Sequence, residues 1–177
     1  MQGNRSGMFI KILFGNVVDC SYLCIVKRRK NMGYTHHFKF KGGVSASEIK
    51  DGALKFKKAS DLIKKLLKRV EEEGITISGG DGHGEPFIDS KEIWFNGSAE
   101  RHEDYETFYL NVNKVEDFFV DGKMFCKTQH MPYDLLVCLS LLAFKKFFGD
   151  DFEFHSDGGT NNEEWKTAHE IWKEIVE

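Results

Sequence analysis

The spacing of apolar residues predicts three amphipathic helices. In three runs, apolar side chains recur every three or four positions, which places them on one helical face. Capping boxes begin the first run at Ser45 and the third at Thr160, because a Glu follows each three residues later. Pro132 suits the first position of the second helix and Gly149 its end. The predicted helices span residues 45–74, 132–149 and 160–175.

The remaining apolar residues alternate with polar ones, which is typical of strands with one buried face. The predicted strands are 33–41, 75–79, 88–98, 106–112, 123–128 and 151–156. The order β-α-β-β-β-β-α-β-α predicts an α+β fold in two layers, with three helices packed on a mostly antiparallel sheet. Residues 32–177 are expected to form a single domain, since this length buries a substantial core.

Residues 1–31 have a different pattern. Their hydrophobic run is interrupted by Lys11, Asn16 and Asp19, and its basic cluster follows the apolar residues instead of preceding them. Both features count against a signal peptide, and the interruptions count against a membrane span. We therefore interpret this segment as an N-terminal extension, with Met32 as the working start of the folded domain. A peripheral membrane anchor is the alternative.

Charge and cysteine content narrow the classes of function. Residues 1–31 carry six basic residues and one acidic residue, a net charge of +5, whereas the remaining 19 basic and 27 acidic residues give a net charge of -8. An acidic body argues against general nucleic-acid binding, which draws its affinity from basic patches. The four cysteines lack paired metal-ligand spacing. Cys126 and Cys138 lie within apolar patterns, so we expect reduced core residues in a cytoplasmic protein.

The start of the second predicted helix is the first candidate site. Polar residues cluster where the flanking elements end, and α/β units tend to place ligands at such ends. Met131 has no side-chain acceptor for the unbonded N–H groups of the first turn. Because Lys127 lies close by in the sequence, the helix start is a candidate anion site. Capping by Thr128 or Gln129 is the alternative.

A glycine-rich loop at residues 78–86 is the second candidate. It lacks the Lys-Ser/Thr ending of a P-loop, and a strand instead of a helix follows it, so neither phosphate-loop template fits. Asp81, His83 and Glu85 offer metal-capable side chains at alternate positions. A metal site would need further ligands, and the candidates are His36, His102 and Asp157. A tight turn with incidental polar residues is the alternative, and no metal site is predicted.

Seven short motifs occur in a fixed order along the chain. They are MGYTHHFKF from Met32, GGDGHGEP from Gly79, FNG from Phe95, ETF from Glu106, FCKT from Phe125, PYD from Pro132 and SDG from Ser156. Together they resemble an uncharacterised family of small bacteriophage, prophage and bacterial proteins. The resemblance supports Met32 as the start of the protein. It implies a location in the host cytoplasm if the protein is phage-encoded. It implies no particular activity, because the family is uncharacterised. His37 departs from the expected aromatic, and Gln129–Met131 is less basic than the family pattern.

These observations leave three functions open. The first is binding of a small anionic or nucleotide-like ligand near the helix start, with Lys127 holding the anion. Tyr34 or Tyr133 would stack on such a ligand. The other ligand-binding candidates, which would accept from hydroxyl or amide groups, are Thr128 together with Glu106, Asp134, Ser156 and Asp157.

The second function is that of a hydrolase-type enzyme, with or without a metal. His36 or His83 would then act as base or ligand, with a carboxylate partner from Asp81, Glu85 or Asp157. The third is a module that binds a host protein, in which case the motifs are turns and caps. The motifs identify no catalytic residue and no cofactor. We expect ligand binding, and convergence of the motif residues in one place would favour the first two functions.

Overall fold

A computed structural model describes residues 33–114, 122–160 and 163–176. Residues 1–31, interpreted above as an extension, lie outside these ranges. The strands are β1 (Thr35–Phe40), β2 (Ile77–Ser78), β3 (Phe87–Ile88), β4 (Glu92–Gly97), β5 (Phe108–Asn111), β6 (Met124–Lys127) and β7 (Phe152–Ser156). The helices are α1 (Gly52–Glu72), α2 (Asp134–Phe148) and α3 (Glu163–Val176), with short 3-10 turns at Lys41–Gly43, Ala46–Glu48 and Gly149–Asp151.

Strand β1 is the centre of an antiparallel three-stranded sheet with the order β6-β1-β7. Its register places His36 opposite Cys126 on β6 and opposite Ser156 on β7. Alternate residues of β1 starting at His36 are buried, and those between them are partly exposed. We call the side that carries His36 the inner face and the side that carries His37 the outer face.

The second sheet has the order β2-β4-β3, and β5 pairs with residues 92–95 of β4, whereas β2 pairs with residues 96–97. The predicted strand 88–98 is in fact two strands, β3 and β4, which pair with each other. A turn separates them because the Asp89 carboxylate accepts the backbone N–H groups of Lys91 and Glu92, each at 2.7 Å. A short polar side chain thus ends β3 within an apolar segment.

Helix α2 is the centre of the core. It contacts α1, α3 and β7. Its apolar residues surround most of the helix instead of forming a single stripe, so most of its circumference is buried. Phe144 shows how the layers join: its ring centroid lies 5.2 Å from that of Phe56 on α1, 6.2 Å from Phe40 on β1 and 5.5 Å from Phe152 on β7. Aromatic packing therefore fixes α2 against the inner face.

The prediction of an α+β fold with three helices and antiparallel strands is confirmed. The Ser45–Glu48 capping box is present, but it bounds a 3-10 turn, and α1 begins only at Gly52. The helix begins later than predicted because Asp51 has a left-handed φ of 58°, which interrupts the helical backbone. Gly52 is required there, since a Cβ would lie 1.7 Å from the Ala46 carbonyl oxygen. No helix in the described ranges is long and apolar enough to cross a bilayer.

Asn96 on β4 connects two neighbouring loops. Its Nδ2 donates to the carbonyls of Gly80, at 3.2 Å, and Tyr105, at 3.1 Å. Its Oδ1 accepts the N–H groups of Gly97, at 2.8 Å, and Tyr105, at 3.0 Å. The side chain is only 3% exposed, so it replaces water as the partner of these groups.

Replacing Asn96 with Ala is expected to lower the free energy of unfolding by about 2–4 kcal/mol, because buried backbone groups lose their partners. Urea denaturation would measure the loss. Asn113→Ala is the control, since Asn113 is exposed and its removal should cost less than about 0.5 kcal/mol. Equal stability of the two variants would contradict the bracing role of Asn96.

Candidate functional site

A cluster of buried polar side chains lies where β1, β7 and α2 meet. His36 comes from the inner face of β1, Ser156 from the end of β7, Asp134 from the first position of α2, and Thr128 from the connection between β6 and α2. His36, Thr128 and Asp134 are fully buried. The four residues belong to four of the seven sequence motifs. Segments that are more than 100 residues apart in the sequence therefore meet in this cluster.

The cluster is a continuous chain of hydrogen bonds. Ser156 Oγ lies 2.7 Å from His36 Nδ1, and His36 Nε2 lies 2.6 Å from Asp134 Oδ1. Thr128 Oγ1 donates to the same carboxylate oxygen at 2.5 Å. These are short distances for hydrogen bonds, and they link a hydroxyl, an imidazole and a carboxylate in a row.

The Asp134 carboxylate determines which atoms donate and which accept in this row of hydrogen bonds. An ionised Asp134 has no proton to donate, so His36 Nε2 must carry the hydrogen of the bond between them. In a neutral imidazole the other nitrogen is then an acceptor, and Ser156 donates its hydroxyl proton to Nδ1. For a neutral imidazole, this arrangement places the serine oxygen beside the nitrogen that can receive its proton.

Asp134 is held by a third contact, because Cys138 Sγ lies one helical turn further along α2 and donates to Oδ2 at 3.8 Å. Burial of an unpartnered carboxylate would cost several kcal/mol, so these donors are a requirement of the fold. The cluster also explains why Thr128 does not cap the helix backbone: its hydroxyl is used by the side chain of Asp134.

His36, Asp134 and Cys138 have the residue types of metal ligands, and their ligand atoms lie within 4.8 Å of one another. Two ligands of a tetrahedral zinc ion lie roughly 3.3 Å apart, given bonds of about 2.0–2.1 Å. The 2.6 Å separation of His36 Nε2 and Asp134 Oδ1 is shorter, and it is that of a direct hydrogen bond. The cluster is therefore arranged for proton sharing between its members.

Aromatic rings enclose the imidazole. Tyr34 contacts the edge of His36 with ring centroids 5.0 Å apart, and Trp165 contacts it at 6.0 Å. The indole N–H of Trp165 donates to the Tyr34 hydroxyl at 3.1 Å, and His130 stacks on Tyr34 at 4.1 Å. Helix α3 thus contributes to the cluster through Trp165, and these rings fix the imidazole in its position between Ser156 and Asp134.

The connection from β6 to α2 has an unusual backbone. Gln129 and His130 both adopt left-handed conformations, with φ of 50° and 58°. The N–H groups of Thr128 and Gln129 both donate to the Tyr34 carbonyl, at 3.0 and 3.3 Å. Such conformations cost about 1–3 kcal/mol each and tend to occur at functional sites. Here they direct Thr128 toward Asp134 and His130 onto Tyr34.

Ser156 is the most exposed of the four cluster residues, and the residues that follow it in the sequence are exposed. It is 6% exposed, and the exposed turn Asp157–Gly158–Gly159 follows it directly. Gly158 and Gly159 have φ of 74° and 78°, values that favour glycine, and the space that a Cβ would occupy is open at both. The serine hydroxyl itself is directed to the buried imidazole of His36, and the exposed turn begins at the next residue.

The predicted site residues do not all converge. Tyr34, His36, Thr128, Asp134 and Ser156 meet in the cluster. Strand alternation separates Lys127 and Asp157 from it, because Lys127 is paired with Thr35 on the outer face and Asp157 binds the Thr35 N–H at 3.1 Å. The ammonium group of Lys127 lies 5.7 Å from the centroid of the Tyr105 ring.

Glu106 and Tyr133 have structural partners at the edge of β6. A Glu106 carboxylate oxygen accepts the Lys127 N–H at 2.7 Å, which closes this edge of the sheet. The Tyr133 hydroxyl donates to the Glu106 carbonyl at 2.7 Å. Burial, together with the neighbouring Cys126 and Asp134, raises the pKa of Tyr133 far above its usual range, so this phenol is a hydrogen-bond donor and not an acid catalyst.

The start of α2 offers little for an anion. The N–H groups of Asp134, Leu135 and Leu136 donate to backbone carbonyls in a series of tight turns, and Met131 donates to the Thr128 carbonyl. The carboxylate of Asp134 also occupies the first turn, where it interacts favourably with the helix dipole. The reason for expecting an anion at this position, unbonded donors beside Lys127, is therefore absent from the observed contacts.

The glycine loop is a tight turn away from the cluster. Asp81, His83 and Glu85 are exposed, and the Asp81 carboxylate accepts the His83 N–H at 3.1 Å. Gly80 is required because a Cβ would lie 2.6 Å from the Trp94 ring. Within the described residues, the loop side chains are not part of a metal-capable group.

Three cluster residues were missed by sequence reasoning. Cys138 was expected to be a reduced core residue, and the sequence patterns predicted no site role for His130 or Trp165. The helical spacing of four between Asp134 and Cys138 was a usable signal, since it places both on one face. The positions of His130 and Trp165 depend on the left-handed connection and on the docking of α3, which local patterns do not encode.

Comparisons of the sequence with protein-family models, with curated proteins and with solved structures found no match. The resemblance to phage proteins, the anionic ligand and the host-protein partner therefore stay predictions. Inference about function rests on the geometry of the cluster.

Substituting Ala for Asp134 is expected to lower the free energy of unfolding by about 3–5 kcal/mol, because His36 and Thr128 would lose their buried acceptor. Asp150→Ala, which removes a fully exposed carboxylate, should change stability by less than about 0.5 kcal/mol. Chemical denaturation of both variants checks this. A loss below about 1 kcal/mol for Asp134→Ala would show that the carboxylate does not hold the cluster together.

The two core cysteines should resist alkylation in the native protein. Burial, reinforced by the charges of Asp134 and Glu106, raises the pKa of Cys126 well above its usual range, and Cys138 is buried against the Asp134 carboxylate. Iodoacetamide treatment followed by peptide mapping would measure the alkylation of Cys126 and Cys138. Rapid native alkylation of either core cysteine would contradict this arrangement, and alkylation in denaturant is the positive control.

Proposed function

We propose that the protein is a serine-dependent hydrolase that cleaves carboxylic esters. The observation that carries the proposal is the hydrogen-bonded row Ser156–His36–Asp134, with distances of 2.7 and 2.6 Å. A hydroxyl, a base and an acid that orients the base are the three parts needed to activate a serine. Such constellations are recognised by geometry and roles, since they occur on unrelated folds and in different chain orders.

Each residue has a distinct role in this proposal. Ser156 Oγ attacks the ester carbonyl carbon while its proton moves to His36 Nδ1. Asp134 holds the imidazole in the accepting tautomer and stabilises the positive charge that forms on it. The protonated Nδ1 then gives its proton to the departing alkoxide, which leaves an acyl group on Ser156. Water, deprotonated by the same nitrogen, hydrolyses this acyl-enzyme and restores the serine.

Thr128 and Cys138 act through Asp134. Both donate to its carboxylate, so they restrict its rotation and keep Oδ1 directed at His36 Nε2. The surrounding rings of Tyr34 and Trp165 pack against the imidazole and restrict its movement. The nucleophile is the serine and not a thiol, because the raised pKa of Cys126 disfavours its thiolate and Cys138 donates to a carboxylate.

The direction of substrate approach follows from burial. His36 and Asp134 are fully buried, whereas Ser156 is followed by the exposed Asp157–Gly159 turn. We place the approach of an acyl group on the side of this turn, because it is the exposed segment next to Ser156. The open space at the two glycines is part of this proposed entrance.

The test is covalent labelling of Ser156 by a fluorophosphonate, which reacts with activated serines and reports the nucleophile without knowledge of the natural ester. Incubation of the full chain should give one added phosphonyl group, located by peptide mapping at Ser156. We expect labelling to be abolished in Ser156→Ala and reduced at least about 100-fold in His36→Gln, since the base contributes by this order.

Ser140→Ala is the matched control. Ser140 is a buried serine on α2, and its hydroxyl donates to the Leu136 carbonyl, outside the Asp134 cluster. This variant should label at the rate of the unsubstituted protein. The proposal is overturned if the folded protein is not labelled, or if Ser156→Ala labels as fast as Ser140→Ala. Thermal denaturation of each variant separates a loss of reactivity from a loss of folding.

A further inference from the structure

Two histidines face each other on the outer face of the first sheet. His37 on β1 and His155 on β7 are directly opposite in the register, and their rings are nearly parallel with centroids 4.7 Å apart. Cross-strand neighbours on one face lie about 4.5–5.5 Å apart at Cβ, so both imidazoles can reach one point above the sheet. His37 is partly exposed and His155 is exposed, so both are accessible from solvent.

A carboxylate completes the group. Asp157 Oδ1 lies 3.9 Å from His37 Nε2, and Asp157 Oδ2 accepts the backbone N–H of Thr35 at 3.1 Å. This second contact matters, because carboxylates that bind metal ions are usually held in position by hydrogen bonds of their own. One carboxylate oxygen is thus fixed by the backbone of β1, and the other faces the imidazole.

We propose that His37, His155 and Asp157 bind a divalent transition-metal ion of the Zn²⁺ type. Two imidazole nitrogens and one carboxylate oxygen form a ligand set that such ions favour, whereas Mg²⁺ and Ca²⁺ prefer oxygen ligands alone. Three protein ligands leave a coordination position for water or another small ligand. The site is formed entirely by side chains on or next to two paired strands.

The three ligand atoms must be brought together by side-chain rotation, because in the present conformers His37, His155 and Asp157 do not all lie within 4.8 Å of one another. Two ligand atoms of one zinc ion lie roughly 3.3 Å apart, and the present 3.9 Å between Asp157 and His37 is close to this value. The stacked rings must turn so that their nitrogens converge. The χ2 torsion of histidine is broad, and both side chains project from the sheet into solvent, so this rotation disturbs no core packing.

Charged side chains lie beside the proposed metal site. A depression of about 160 Å³ beside the two histidines is also lined by Lys39, Lys123 and Glu153. Lys39 and Glu153 form an ion pair with 3.7 Å between the charged atoms, which partly neutralises both. Lys123 remains the nearby cation that opposes a metal ion, and an anion bound to the open coordination position would lie beside it.

The site is separate from the proposed catalytic row, although the two are adjacent in the chain. His37 and His155 each precede or follow a cluster residue by one position, so strand alternation puts them on the opposite side of the sheet. Zinc binding and serine labelling therefore test different faces. A failure of one leaves the other unaffected.

The experiment is calorimetric titration of untagged, EDTA-treated full-length protein with ZnCl₂, in a Cys20→Ser/Cys24→Ser background that removes those two thiols as ligands. We expect one ion per chain with a micromolar dissociation constant. His37→Ala and His155→Ala should each weaken binding by at least about tenfold, and Asp157→Asn should weaken it less, since an amide oxygen still coordinates.

The controls are His83→Ala and a titration with MgCl₂. His83 is an exposed histidine on the glycine loop, so its removal should leave zinc affinity unchanged. The proposal is overturned if zinc does not bind at micromolar concentration, or if His37→Ala and His155→Ala bind as tightly as His83→Ala. Retained melting temperatures in the apo variants would show that lost affinity is not lost folding.

Discussion

The buried carboxylate of Asp134 is the constraint on which the arrangement of this protein depends. A carboxylate removed from water is tolerated only with donors around it, and here they come from three places: His36 on β1, Thr128 before α2, and Cys138 on α2 itself. Because Ser156 on β7 contacts the same imidazole, one charge connects the central strand, an outer strand and the central helix. Hydrophobic packing brings these elements together, and the carboxylate specifies their register.

Strand alternation in β1 separates two kinds of chemistry within consecutive residues. His36 faces a closed, aromatic environment where a hydrogen bond is strong and water is excluded, and this suits directed proton transfer. His37 faces solvent beside a second imidazole, and this suits exchangeable ligands. A shift of the register by one residue would exchange the two environments, so the inward packing of Phe38 and Phe40 protects both.

Local patterns in the sequence predicted the three helices and most strands, because apolar periodicity reports which face of an element is buried. They also selected Asp134 and Ser156 as candidates, since polar residues stood at element ends, and His36 as a possible base or metal ligand. The separation of Lys127 and Asp157 from these residues was predictable in principle from alternation, once the register with Thr35 was known. Register depends on long-range pairing, and no local pattern encodes the donors that Asp134 gains from distant segments.

The buried polar cluster has a cost in stability. Replacement of a buried polar network by apolar side chains of similar volume is often neutral or stabilising, so a network that only held the fold together would be an expensive solution. The two left-handed residues at Gln129 and His130 add further cost at the same place. Departures from local rules concentrate where function requires them. The network runs from the fully buried carboxylate of Asp134 to the hydroxyl of Ser156, the residue that precedes an exposed turn.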